Sequence, residues 1–142
     1  MHIYYFSENI GFSLKNKGEI SIWLQSVIEQ EQYALDHLNF IFCSDNYLHA
    51  KNKEYLGHDT LTDVITFDYT TTPKTVLGDI YISIDRVRDN AQYYKKKVKE
   101  ELYTVMVHGV LHLLAYDDQT EEDKLIIREK ESFYINQLLL AL

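Results

Sequence analysis

The chain has 142 residues, of which 46% are apolar and 25% charged, and its formal net charge is −8. This length fits one hydrophobic core, so we predict a single domain over residues 1–142. No apolar run approaches the ~20 residues that span a bilayer, the start lacks the cationic segment of a signal peptide, and the acidic balance argues against a general nucleic-acid binder. We therefore expect a cytoplasmic protein without a membrane partner.

The first half of the chain alternates strand and helix patterns. Residues 2–6 are typical of a strand, and residues 18–35 carry apolar side chains at helical spacing. Residues 38–44 form an apolar run that predicts a buried strand, and its Cys43, the single cysteine, is interpreted as a buried core residue. Asp45 is expected to cap the helix that follows this strand.

The second half begins with two more predicted strands and then becomes helical. The strands cover residues 64–67 and 78–84 and are expected to form a hairpin at the edge of the sheet. Three helices should follow, over residues 85–97, over 100–116, and from a cap made by Thr120 and Asp123 to residue 140. We predict an α+β fold, a small mixed sheet of about four strands with about five helices mostly on one face.

Two histidines on the second of these helices indicate a metal site. His108 and His112 are four residues apart, which places both side chains on one helix face with Cβ atoms about 5–6 Å apart. No cysteine lies nearby, so a further ligand should come from beyond the helix, where Asp118 follows a predicted turn. Two imidazoles and one carboxylate would leave a coordination position open, which is typical of catalytic sites.

The residue between the histidines separates two classes of metal enzyme. Zinc peptidases with a His-Glu-x-x-His helix place their general base directly after the first histidine, and this chain has Gly109 there. A glycine also weakens a helix interior by roughly 0.5–1 kcal/mol, so it should serve a purpose. Two purposes remain open, namely close approach of a ligand and tight packing of the helix on the sheet.

The same residues resemble a known family. Residues 108–117 read His-Gly-Val-Leu-His-Leu-Leu-Ala-Tyr-Asp, which resembles the YbeY signature His-Gly-x-Leu-His-Leu-x-Gly-Tyr-Asp-His. Ala115 stands where the family usually has glycine, and Asp118 where it usually has a third histidine. Residues 59–67 and the Gly-Asp-Ile segment at 78–80 are also similar to the family, so the resemblance runs from about residue 52 to 131.

This resemblance implies a small α+β fold, a bound transition metal that is usually zinc, and endoribonuclease activity on single-stranded RNA. It further implies maturation of the 3′ end of 16S rRNA, ribosome quality control, and contact with the small ribosomal subunit. Carried over by position, His108 and His112 become metal ligands that act in catalysis through the metal, and Asp118 becomes the third ligand, with Asp117 as the alternative. A carboxylate there would admit manganese or magnesium more readily.

The resemblance also indicates that one basic residue expected to contact RNA is absent from this chain. The family usually has an arginine where this chain has Leu56. His58 is a candidate to replace it in part, and an exposed loop histidine is the alternative interpretation. Positive charge for RNA is expected from residues before the metal helix, namely Arg86, Lys95, Lys96 and Lys97, with Tyr93 and Tyr94 stacking on bases. The lysine run also fits a solvated helix end.

Three functions therefore compete. A metal-dependent endoribonuclease is the first, and if it needs a general base, the candidates are Asp63, Asp79 and Asp117. A zinc peptidase is disfavoured by Gly109. A non-catalytic ribosome-assembly factor that keeps the metal for structure is the third.

Overall fold

Four strands and five helices follow one another in the computed structural model, which describes residues 2–57 and 62–141. The strands are β1 (Ile3–Glu8), β2 (Ala34–Cys43), β3 (Val64–Asp68) and β4 (Thr75–Ser83). The helices are α1 (Lys17–Gln30), α2 (Asp45–Leu56), α3 (Ile84–Tyr93), α4 (Val98–Leu113) and α5 (Glu121–Ala141). The predicted fold class is confirmed for the described residues, with a mixed four-stranded sheet and five helices.

The strands form one sheet in the order β1-β2-β4-β3. β1 pairs in parallel with β2, and β2 pairs in parallel with β4. β3 pairs antiparallel with β4 and forms one edge, which confirms the predicted hairpin. Because β2 and β4 are flanked on both sides, their apolar residues are the centre of the core.

The two faces of the sheet carry different helices. One face holds the main core, in which Phe40 of β2 and Ile80 of β4 pack with the apolar sides of α1, α3, α4 and α5. The other face holds a smaller cluster, where Leu48 of α2 packs on Cys43 and Ile65. The expectation that most helices share one face is therefore confirmed, and α2 is the exception.

Cys43 is buried as predicted. Burial, together with the charges of Asp85, Asp45 and Glu8, raises the pKa of its thiol to about 12, so the residue is not a reactive thiolate.

Within the described part of the chain, no helix is both long enough and apolar enough to cross a membrane.

Side-chain caps precede three of the described helices, namely α2, α3 and α5. The prediction that Asp45 caps α2 was wrong by one residue, because the hydroxyl of Ser44 accepts a hydrogen bond from the backbone N–H of Tyr47. Before α5, the hydroxyl of Thr120 accepts from the N–H of Asp123, whose carboxylate accepts in return from the N–H of Thr120. This reciprocal cap confirms the predicted start.

Three helices end earlier than their apolar spacing predicted, at Gln30, Tyr93 and Leu113. Each is followed by a non-glycine residue with positive φ, at 65° for Gln32, 55° for Lys95 and 73° for Ala115. The next residue then donates its N–H to a carbonyl five positions back, namely Tyr33 to Ile28, Lys96 to Ala91 and Tyr116 to Leu111. This hydrogen-bond pattern is that of the Schellman motif, in which glycine usually takes the positive-φ position. Here glutamine, lysine and alanine take it.

Candidate metal centre

The two histidines face each other on α4. Nε2 of His108 lies 2.9 Å from Nε2 of His112, and the ring centroids are 4.5 Å apart at an angle of 81°. Both side chains are partly buried. The helical spacing of the sequence thus brings two potential ligand atoms to one point, as predicted.

The other ring nitrogens are held by hydrogen bonds. Nδ1 of His108 lies 2.8 Å from a carboxylate oxygen of Glu131 in α5, and Nδ1 of His112 lies 3.0 Å from the carbonyl oxygen of Tyr116. Both partners are acceptors, so a neutral ring donates from Nδ1 and keeps a lone pair on Nε2. Such partners commonly orient histidines that bind metals.

Asp118 completes a group of three. One of its carboxylate oxygens lies 3.5 Å from Nε2 of His108 and 3.4 Å from Nε2 of His112. Asp117 is exposed and stands outside this group. The loop reaches this position because the chain reverses at Ala115, whose φ is 73°. The geometry thus favours Asp118 over Asp117 as a third ligand.

These donors fit a transition-metal ion. Nitrogen and oxygen ligands at about 2.0–2.2 Å from a tetrahedral ion are separated from one another by about 3.3–3.6 Å. The carboxylate-to-imidazole distances match this separation, and the two Nε2 atoms are somewhat closer. In the absence of an ion, a proton on one Nε2 can bridge the two nitrogens at 2.9 Å, and a metal cation would take the place of that proton.

Acidic groups shape the electrostatics of the pair. Burial alone would lower the pKa of His108, but the hydrogen bond and charge of Glu131, with the charges of Asp118 and Asp63, outweigh burial and raise it. The same carboxylates that favour a proton on His108 also favour a metal cation.

Gly109 packs tightly on the sheet. A Cβ at this position would lie 2.9 Å from Cγ2 and 3.2 Å from Cδ1 of Ile80 in β4. Of the two purposes left open for this glycine, packing is the one that the structure supports. The close approach sets α4 against the sheet and leaves no acidic side chain directly after His108.

A cleft of about 350 Å³ opens beside the ligand group. Its walls include Asn52 and Leu56 of α2, residues 62–66 around the start of β3, and the three potential ligands. Of the candidate general bases, Asp63 lines this cleft. Asp79 does not, and its carboxylate instead accepts hydrogen bonds from Asn39 and Tyr69.

Those predicted RNA contacts that the structure describes lie away from the cleft walls. Arg86 is paired with Asp45, and Lys96 lies 2.9 Å from the carboxylate of Glu101. Lys95 and Lys97 are exposed, as are Tyr93 and Tyr94. His58 falls outside the described residues. Leu56, at the family's arginine position, does line the cleft, and the described lining residues include no lysine or arginine.

Two acidic residues at the centre were missed by the sequence reasoning. Glu131 bonds His108, and Glu31, at the end of α1, accepts hydrogen bonds from the hydroxyls of Tyr116 and Tyr134 and from Lys130. Because Tyr116 also bonds His112 through its carbonyl, Glu31 anchors the loop that carries Asp118. No local spacing marks either residue, since both meet the site only through tertiary packing.

Comparisons with known proteins agree with this geometry. A family model described as Endoribonuclease YbeY matches residues 7–139. An Amoebophilus asiaticus protein named Endoribonuclease YbeY is 57% identical over 94% of this chain and 91% of its own length. A Cytophaga hutchinsonii protein of the same name is 46% identical over 91% of this chain and 90% of its own length.

A solved structure shows the same fold. The solution structure of a Thermotoga maritima protein matches with a TM-score of 0.67 and 26% identity, covering 96% of this chain and 88% of that one. The family match covers β2, β3, β4, α4 and most of α5, so it includes every residue of the ligand group. The chain belongs to the Endoribonuclease YbeY family.

Proposed function

We propose that this protein is a metal-dependent endoribonuclease that cleaves single-stranded RNA. We further propose that it acts in the cytoplasm on rRNA of the small ribosomal subunit, in maturation of its 3′ end and in ribosome quality control. Relatives named Endoribonuclease YbeY support the reaction class. The observation that carries the proposal is the convergence of His108, His112 and Asp118 at one wall of an open cleft.

We propose His108, His112 and Asp118 as the ligands and zinc as the ion. Two imidazoles and a carboxylate suit zinc and leave room for a fourth ligand from solvent or substrate. When bound, such an ion supplies Lewis-acid chemistry, polarising a phosphate oxygen and lowering the pKa of water.

The protein's own groups would orient this chemistry. Glu131 and the carbonyl of Tyr116 hold the two imidazoles so that each Nε2 faces the position where the proposed ion would bind. Asp63, on the cleft wall, is the acidic side chain that we propose as proton acceptor. Gly109 offers no base where a zinc peptidase carries its glutamate, so peptide hydrolysis is not favoured.

A cleavage assay with matched variants tests the proposal. Purified protein with zinc should cut a labelled single-stranded RNA, including a 3′-extended small-subunit rRNA precursor, and should spare a duplex of the same sequence. His112→Ala and Asp118→Ala should lose bound metal, measured by elemental analysis, and cleavage together. Asp117→Ala is the control and should retain both, because Asp117 stands outside the ligand group.

Two outcomes would contradict the proposal. Cleavage that persists in metal-free His112→Ala protein would exclude the metal mechanism. Stoichiometric metal without any cleavage would instead support the assembly factor with a structural metal.

A further inference from the structure

A second depression lies beside the metal cleft, on the sheet face that α2 covers. It has a volume of about 520 Å³, and we call it the aromatic groove. Its lining residues are Lys51, Tyr55, Leu56, Phe67, Tyr69 and Tyr81. Four of these six described residues are aromatic, and Arg86, Lys95, Lys96 and Lys97 are not among them.

Three of the four rings of the groove pack on one another. Phe67 of β3 packs edge-to-face with Tyr55 of α2 at 6.1 Å and with Tyr81 of β4 at 5.6 Å. Tyr55 and Tyr69 are nevertheless 57% and 53% exposed. Contiguous exposed apolar patches mark interaction sites and ligand-binding grooves, in contrast to apolar side chains that are exposed singly.

Among the described residues that line the groove, Lys51 is the one cation. The ammonium of Lys51 lies 4.6 Å from the ring centre of Tyr55, 5.5 Å from that of Tyr81 and 5.7 Å from that of Tyr47. Rings that stack on bases next to a cation that meets phosphate are the pattern of single-stranded nucleic-acid binding. The acidic neighbours are Asp79, which accepts from the hydroxyl of Tyr69, and Glu54, one turn from Lys51.

The groove adjoins the metal cleft. Leu56 lines both cavities. Along β3, Ile65 and Thr66 line the cleft, and Phe67, the next residue, lines the groove. A strand of RNA with one phosphate in the cleft therefore has the groove as a neighbouring space.

We propose that the aromatic groove binds an unpaired nucleobase of the RNA strand, stacked on Tyr55 or Tyr69, while Lys51 contacts a phosphate. The inference rests on the proposed function, because it assigns a subsite to the same substrate. It also accounts for a preference for single strands, since a paired base is stacked in its own helix and cannot enter a side groove.

A binding measurement with matched oligonucleotides tests this subsite. The probes are a fluorescent single-stranded RNA hexamer and hexamers in which each position in turn is an abasic spacer, all checked for intactness afterwards. The wild-type protein should bind at least one abasic probe about tenfold more weakly than the intact hexamer. Tyr55→Leu combined with Tyr69→Leu should bind the intact hexamer about tenfold more weakly and no longer distinguish that abasic probe.

The control is Phe133→Leu, which removes an aromatic ring with 53% exposure on α5, away from the groove. It should bind both probes as the wild type does. Lys51→Gln should weaken binding and reduce the slope of log affinity against log salt by about 0.7, the value for one phosphate on a single strand. Melting temperatures should stay close to wild type, because the tyrosine side chains are exposed.

Two failures are distinguishable. If the wild type does not bind or cleave single-stranded RNA, the proposed function fails. If the wild type binds the hexamer and the tyrosine variants bind it equally, with the abasic penalty unchanged, the groove does not hold a base and this inference is overturned.

Discussion

Glu131 reaches His108 from another helix, and its carboxylate orients the imidazole toward the shared point. Removing such a partner commonly lowers metal affinity by about 10- to 100-fold. We therefore expect Glu131→Gln to bind zinc more weakly by that factor while keeping its fold. Competition with a chromophoric chelator measures the affinity, and circular dichroism checks the fold.

Glu129→Gln is the matched control, since Glu129 is an exposed glutamate of the same helix. It should bind zinc as tightly as the wild type. Equal zinc affinities of the two variants would show that the hydrogen bond to His108 does not support metal binding.

At the scale of single residues, the sequence predicts contacts between residues that are close along the chain. His108, His112 and Asp118 lie within eleven residues, so helical spacing and one turn were enough to place them together. Glu131 lies 23 residues from His108 and meets it through the packing of α5 on α4. The three residues before it, 128–130, are also charged, so nothing local distinguishes it.

Among the helices and strands, the close packing of α4 on the sheet depends on Gly109. A methyl group there would press into Ile80, which is fully buried, and would push the helix off β4. We expect Gly109→Ala to lower the free energy of unfolding by about 1–3 kcal/mol despite the better helix propensity of alanine. Urea unfolding measures the change.

Gly18 in α1 provides the comparison, because a Cβ there would have no neighbour within 4 Å. Gly18→Ala should leave stability unchanged or raise it by up to about 1 kcal/mol. If Gly109→Ala is equally harmless, the close packing against Ile80 does not constrain the helix.

The end of α4 is strained at Ala115. A left-handed backbone costs an L-residue about 1–2 kcal/mol, and glycine avoids this cost but loses about 0.4–1 kcal/mol through the freer unfolded chain. We expect Ala115→Gly, which restores the family's usual residue, to stabilise the protein by about 0.5–1 kcal/mol in thermal unfolding.

Ala50→Gly makes the same change at an exposed position inside α2. It should destabilise the protein by up to about 1 kcal/mol. A loss of stability in Ala115→Gly as well would mean that the positive φ of Ala115 carries no net cost.

The C-terminal ends of three helices are the parts of the fold that were predicted wrongly. Apolar patterns and helix caps together predicted about five helices and four strands, and the described residues form five helices and four strands. The ends of α1, α3 and α4 were misplaced by three to five residues, because Gln32, Lys95 and Ala115 take the conformation that glycine normally signals. Backbone hydrogen bonds within each turn form these helix ends without glycine.

For the whole molecule, Glu31 joins three separate segments. Burial alone would raise the pKa of Glu31, but hydrogen bonds from Tyr116, Tyr134 and Lys130 outweigh burial and lower it. A carboxylate whose pKa is lower in the folded state stabilises the fold above its unfolded pKa, near 4.5, and loses that contribution as the pH falls further. Neutral pH therefore retains the full effect.

We expect Glu31→Gln to lower the free energy of unfolding by about 1–2 kcal/mol at pH 7, with the difference shrinking as the pH falls below about 4.5. Urea unfolding from pH 7 to pH 3 measures it. Glu29→Gln, at an exposed glutamate two residues earlier, should show little difference at any pH. A pH-independent loss in Glu31→Gln would point to packing and not to charge.

The hydrogen bond between Glu131 and His108 has a thermodynamic consequence. It couples α5 to the same imidazole that would ligate the ion, so an ion held there also clamps two helices that only meet in the folded chain. By mass action, free zinc at 100 times its dissociation constant adds about 2.7 kcal/mol to the free energy of unfolding. The melting temperature should therefore vary with the free zinc concentration, and protein stripped by a chelator should melt at a lower temperature.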